Sequence, residues 1–198
     1  MTKSEAAQMV KKPLRTLLNT QPVICAVKSL HDLEKSLLLD ESNLIFILFG
    51  DIVSIAEIVG KAAASSKHVF VHIDLIDGLA PRDISVAYIA KHTGASGIIS
   101  TRGSLLRSAK TLGLWTIQRF FVLDSMALVN IERQIPFNDV DAIEILPGNA
   151  PKTIKKVSAF TQKPIIASGM VNDKEDVINA LGAGAHAVSS SVFDVWAL

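Results

Sequence analysis

Eight short apolar runs alternate along the chain with segments whose apolar residues recur every three or four positions. The runs fall at residues 22–27, 44–49, 68–73, 97–100, 115–122, 142–146, 164–167 and 186–189. Each is apolar almost throughout instead of alternating with polar residues. That is the pattern of strands covered on both faces. The segments between them read as amphipathic helices. Leu30, Leu33 and Leu37 mark the first apolar face, and Ile55, Ile58, Val59 and Ala62 the second. Ile154, Val157 and Phe160 mark a later one. Helix starts are legible too. Ser29 with Asp32 suits an N-cap, Asp124 or Ser125 suits another, and Asn172 with Glu175 resembles a capping box. Pro81 and Pro151 are expected at the first position of their helices, where a missing N–H costs little. The fifth run is the least regular, because Arg119 interrupts it.

Strand–helix units in strict alternation predict a parallel sheet. Eight of them predict a closed barrel over an open, doubly wound sheet, and no G-x-G-x-x-G follows the first run. The expected fold is therefore α/β, a small TIM-like (β/α)8 barrel with parallel strands. It forms a single domain over residues 1–198, with residues 1–20 as a leading helix.

Composition narrows this only slightly. The chain has 198 residues, 49% of them hydrophobic, and a formal net charge of +1. A chain of that length can bury roughly 70% of its unfolded surface. No apolar run approaches the ~20 residues that span a bilayer, and the charged N-terminus holds no apolar signal core. The single cysteine, Cys25, excludes an internal disulfide and suits a reducing compartment. A cytoplasmic protein with no membrane partner is expected. The near-neutral charge carries no nucleic-acid signature by itself.

In such a barrel, ligands bind where the strands end at their C-termini. The residues expected there include Lys28, Asp51, Ser100 and Gln118, with two arginines, Arg102 and Arg119, at the ends of neighbouring strands. A guanidinium is always charged and offers forked donors, which suits an anion. Ser168 and Gly169 follow the seventh run, and Ser189, Ser190 and Ser191 end the eighth. Barrel phosphate sites favour those two loops, together with the N-terminus of a short extra helix that residues after Ser191 could supply. Gly148 ends the sixth run. Period-two alternation places Glu144 inward with Ala142 and Leu146, where a carboxylate needs a partner, and Arg119 is the nearest candidate. The same alternation puts His72 and Asp74 on one face, able to bind hydroxyls or to act as acid and base. Plain alternatives stand beside these: polar strand ends meet water and cap helices, small residues suit tight turns, and Arg119–Glu144 can be a purely structural ion pair. No metal-ligand spacing is present, and magnesium between Asp74 and Glu144 has no motif behind it. Neither a phosphate-binding Walker loop nor a nucleophile elbow occurs.

Five motifs then occur in order: HIDLIDGL at 72–79, SGIISTR at 96–102, TIQRFFVLDS at 116–125, AIEILPG at 142–148 and AVSSS at 187–191. Together they resemble the glycerol-3-phosphate-responsive antiterminators, regulators of glycerol uptake operons. The resemblance covers about residues 22–196. It implies a TIM-like barrel that responds to glycerol 3-phosphate and acts on the leader mRNA of glycerol-utilisation genes. The protein would then be a regulator with no assigned catalytic residue, no resident cofactor and no metal, and glycerol 3-phosphate would be its effector. One departure is visible: Ser168-Gly169 stands where the family usually has two glycines.

On this reading the phosphate lies at Ser168, Gly169, Ser189, Ser190 and Ser191, while His72, Asp74, Arg102, Arg119 and Glu144 line the remainder, with Gly148 beside them. The alternative is a TIM-barrel enzyme on a small phosphorylated substrate, using His72, Asp74 or Glu144. A third is a barrel with a vestigial site, acting through protein contacts. RNA contacts are not assigned. Lys152, Lys155, Lys156 and Lys163, or Lys11, Lys12 and Arg15, are candidates, against the bland reading of solvated helix faces. Tyr88 is the only tyrosine available for stacking on bases. A homo-oligomer is compatible with the sequence.

Overall fold

The structure, a computed structural model, describes residues 13–40 and 42–198. Eight parallel strands pair in sequence order and close with the first against the last. They are β1 (Val23–Val27), β2 (Leu44–Ile47), β3 (His68–His72), β4 (Gly97–Ser100), β5 (Trp115–Phe121), β6 (Ala142–Leu146), β7 (Ile165–Ser168) and β8 (Ala187–Ser190). Around them lie α2 (Leu30–Leu37), α3 (Ile55–Ala63), α4 (Asp83–His92), α5 (Gly103–Thr111), α6 (Ser125–Gln134), α7 (Pro151–Phe160) and α8 (Lys174–Gly182). The helix α1 (Leu14–Thr20) precedes the barrel and α9 (Phe193–Trp196) ends it. The expected (β/α)8 barrel is the fold observed. Of the leading helix expected over 1–20, Leu14–Thr20 is helical, and the rest lies outside the described residues.

Alternation along each strand divides the apolar residues into two cores. One face, including Ile45, Val69, Ile98 and Ile143, packs outward under the helices. The other fills the barrel with Phe46, Phe70, Trp115, Ile117 and Ile166. Leu14 and Leu18 of α1 belong to this inner cluster and are 3% and 0% exposed, so α1 stops the barrel at the N-terminal ends of the strands. Arg15 anchors the stopper by donating to His186 Nε2 at 3.0 Å and to the carbonyl of Gln162.

Gly97 has a packing reason. It pairs in register with Phe70 on one side and Trp115 on the other, and those two rings stack over it at 5.9 Å and 11°. A Cβ at Gly97 would lie 2.5 Å from Phe70 Cε1 and 2.5 Å from the Trp115 carbonyl oxygen. Gly97→Ala is expected to destabilise by about 1–3 kcal/mol or more, since overpacking must displace rings or backbone. Chemical denaturation of the variant checks this.

Several boundaries differ from the pattern-based expectation. β5 is the longest strand and runs straight through Arg119, because that residue points into the barrel and finds a carboxylate there. β2 ends at Ile47, two residues early. Pro81 does not open α4, which starts at Asp83 with Arg82 as an extended N-cap. The Ala80 carbonyl instead accepts from Arg82 N at 2.8 Å and Ser85 Oγ at 2.6 Å. The capping box of α8 lies one residue later than expected. Asp173 accepts from Asp176 N at 2.9 Å, and Asp176 accepts from Asn172 N at 2.8 Å. Ser29 and Asp124 cap α2 and α6 as expected.

Candidate functional site

Above the apolar layers the barrel interior turns polar. Arg119 and Glu144 are register partners on β5 and β6, both pointing inward. Arg119 Nε donates to Glu144 Oε2 at 2.6 Å and Nη2 to Oε1 at 3.1 Å. Ser168 Oγ on β7 adds a third donor to Oε1 at 2.6 Å. Glu144 is fully buried and Arg119 is 9% exposed. A buried carboxylate with a forked guanidinium and a hydroxyl has its charge compensated in place. The second face of Arg119 is thereby oriented toward the space above.

That space is a cavity of about 510 Å³ at the C-terminal ends of the strands. Ser168 and Ser189 pair in register and face inward from β7 and β8, and Ala26 faces inward from β1. Three small side chains on adjacent strands leave the barrel top open on that side, while Arg119 and Glu144 fill the other. Leu48, Leu75 and Met170 supply apolar walls. Lys28, at the end of β1, donates from Nζ to Ser191 Oγ at 2.8 Å. Two cations, Lys28 and Arg119, and one carboxylate, Glu144, line the cavity, so its side chains sum to one positive charge. The loop after β7 carries Gly169 at φ +73 and Met170 at φ +58, a left-handed pair that turns the chain across the mouth.

Of the eleven residues proposed from sequence, seven line this cavity: Arg119, Glu144, Ser168, Gly169, Ser189, Ser190 and Ser191. Ser190 is committed to its loop. It donates to the Val171 carbonyl at 2.6 Å and accepts from Val192 N at 3.0 Å, and its carbonyl accepts from Trp196 Nε1. Helix α9 has only four residues, too short to gather much dipole. Gly148 packs instead of lining the cavity. A Cβ there would lie 2.7 Å from Ser168 N, and its own N–H donates to the Gly169 carbonyl at 2.8 Å.

The other three residues stand apart. Asp74 does not share a face with His72, because β3 stops at His72 and Ile73–Leu75 forms a 3-10 turn. The Asp74 carboxylate instead holds the turn after β4, accepting from Ser100 Oγ at 2.9 Å and from Thr101 N at 2.7 Å. Arg102 lies outside the cavity, 4.0 Å from Asp74 and 59% exposed. Its expected equivalence with Arg119 fails because one is mid-strand and inward, the other beyond a strand end. Among the described residues no cluster of three His, Cys, Asp or Glu side chains could hold a metal ion.

His72 lies inside the barrel, 2% exposed, and its Nδ1 has no hydrogen-bond partner. Burial, with help from the Arg119 charge, pushes its pKa down to about 4. The imidazole is therefore neutral in the folded protein, whereas the unfolded state takes up its proton near pH 6.5. Stability from this group is complete above that pH and is lost as pH falls from about 6.5 toward 4. The loss is at most roughly 3 kcal/mol. Denaturant unfolding of His72→Leu between pH 7 and 4.5 should show a shallower decline than the unsubstituted protein.

Two cavity residues with polar side chains were not among the eleven proposed from sequence: Lys28 and Asn172. Lys28 was visible as a polar strand end, but its place beside Ser191 follows only from closure of β1 on β8. Asn172 reads in sequence as a helix cap.

The family model of the glycerol-3-phosphate responsive antiterminators matches residues 23–196. The uncharacterized Escherichia coli K12 protein YgcP is 40% identical over 187 residues, covering 94% of this chain and 97% of that protein. The crystal structure of the glycerol uptake operon antiterminator regulatory protein of Listeria monocytogenes is 32% identical, with a TM-score of 0.81, over 86% of this chain and 92% of the other. A glycerol uptake operon antiterminator-related protein of Thermotoga maritima is 28% identical, with a TM-score of 0.80, over 90% of this chain and 99% of the other.

Proposed function

This chain belongs to the glycerol-3-phosphate responsive antiterminator family, and from that premise we propose that it is a cytoplasmic RNA-binding regulator whose effector occupies the cavity above Arg119 and Glu144. The single observation that carries this is the cavity itself: a net positive, partly apolar chamber floored by a buried ion pair and walled by small residues. The phosphate sits on the side of Lys28, Ser189, Ser191 and the Gly169 backbone. Amide groups and hydroxyls can approach an anion closely there, and the ammonium supplies charge. The glycerol hydroxyls meet Arg119, Glu144 and Ser168, with Leu48 and Leu75 beside the carbon chain.

Glu144 has three donors on two oxygens, which leaves acceptor capacity for a ligand hydroxyl. Its role here is to accept and to orient Arg119. Asp74 is tied into the turn after β4 and does not hydrogen-bond His72, so an acid–base reading loses its pair. A regulator needs only differential affinity: the ligand must favour one arrangement of the top-face loops, and RNA must prefer that same arrangement.

The test is binding of leader RNA from a glycerol-utilisation operon, with and without glycerol 3-phosphate. Tighter binding with the effector is expected, weakening as salt rises because phosphate contacts release counterions. Equal binding in both conditions would defeat the sensing role. Turnover of a small sugar phosphate, lost in Glu144→Gln, would favour the enzyme.

A further inference from the structure

Resting on the RNA-binding reading above, we infer that the groove between α7 and α8 receives the phosphate backbone of single-stranded RNA, through Lys152, Lys155 and Lys156. These lysines occupy positions i, i+3 and i+4, so they share one side of α7, and all three are exposed. The helix PKTIKKVSAF contains no acidic residue. Lys152 and Lys155 line the groove with Asn179, Gly182 and the half-exposed Ile178, and no carboxylate lines it. Gly182 keeps the far wall low, since a Cβ there would meet nothing within 4 Å. Both acids of α8 sit in its first turn: Asp176 accepts from Asn172 N at 2.8 Å, while the exposed Glu175 lies on the same side of the helix as Ile178 and Asn179 but does not line the groove.

Several other cations are already engaged, and those that are not, such as Lys91 and Arg107, lie on different helices. Lys163 pairs with Asp139 at 3.5 Å, Lys110 with Asp139 and Asp141, and Lys61 with Glu57. Arg15 is held by His186 and the Gln162 carbonyl. Lys11 and Lys12 lie outside the described residues. Among the described residues, Lys152, Lys155 and Lys156 have no carboxylate within 4.0 Å, so their charges remain available to a polyanion.

The groove is also joined to the cavity through the backbone. Its two helices follow β6 and β7, whose ends touch: Gly148 N donates to the Gly169 carbonyl, and Gly148 has no room for a Cβ against Ser168 N. Gly148 lies two residues before Ala150, the N-cap of α7. A ligand that reorders Ser168 and Gly169 therefore acts on the start of α7 through one contact. The spacing of the two helices is the element that both ligands can bias.

The test compares the unsubstituted protein, the triple variant K152A/K155A/K156A and a charge-matched control, K61A/K91A/R107A on α3, α4 and α5, for leader-RNA binding over a salt series with glycerol 3-phosphate present. Thermal unfolding confirms that each variant is folded. Three lost phosphate contacts should flatten the slope of log K against log[salt] by about 2 and weaken binding about 100-fold at 0.1 M salt. The control should keep the original slope. If the unsubstituted protein binds RNA and the groove variant binds equally well, or the control loses as much, the groove assignment is overturned while the RNA reading stands. If the unsubstituted protein binds no leader RNA at any effector concentration, both are overturned.

Discussion

Glu144→Ala is expected to lower folding stability by about 3–5 kcal/mol, the cost of leaving a buried guanidinium without its counter-charge. Arg119 is 9% exposed and donates both Nε and Nη2 to the lost carboxylate. Ser168 Oγ loses its acceptor in the same step. Equilibrium unfolding in urea measures the loss as a lower midpoint. A large loss alone would not separate ligand binding from folding. The paired replacement Arg119→Met with Glu144→Leu makes that separation, because a buried ion pair exchanged for apolar residues of similar volume is often neutral in stability. The double variant should unfold near the unsubstituted protein and yet bind no glycerol 3-phosphate. A double variant that keeps effector affinity would make the pair purely structural.

Lys28→Glu is expected to weaken glycerol 3-phosphate binding by at least about 100-fold while leaving the fold intact. The side chain is exposed at the end of β1 and donates only to Ser191 Oγ in this structure. Reversal changes the summed charge of the cavity side chains from one positive to one negative. Each unit pair at about 4 Å is worth roughly 1–4 kcal/mol, between bulk water and a protein surface, and a 100-fold change corresponds to about 2.7 kcal/mol. Lys28→Met should fall between the two. Titration calorimetry at fixed salt reads all three, and raising the salt should narrow the differences.

Much of the barrel was legible because its strands are apolar on both faces and its helices carry caps such as Ser29 and Asp124. The Arg119–Glu144 pair was legible for a further reason: alternation alone sends Glu144 inward, and an inward carboxylate needs a cation. The same rule misplaced Asp74, because alternation holds only while the strand continues and β3 ends at His72. Arg119 was expected at a strand end, since an arginine inside an apolar run looks like an interruption until its partner is known. Lys28 and Ser191 lie 163 residues apart in sequence. Closure of β1 onto β8 brings them together; the count of eight strands implies that closure, but no local pattern shows that these two side chains meet. Gly148 has its reason in a backbone approach to Ser168, which only the packed strands reveal. The stopper formed by Leu14 and Leu18 was readable as a helix but not as the floor of the barrel.

The most direct measurement is calorimetric titration of the protein with glycerol 3-phosphate, beside glycerol and inorganic phosphate as separate titrants. A cavity that binds both ends of the molecule should give saturable binding with one effector per chain, tighter than either fragment and abolished by Lys28→Glu. No heat of binding at millimolar glycerol 3-phosphate, or equal affinity for inorganic phosphate alone, would contradict the assignment of this cavity as the effector site.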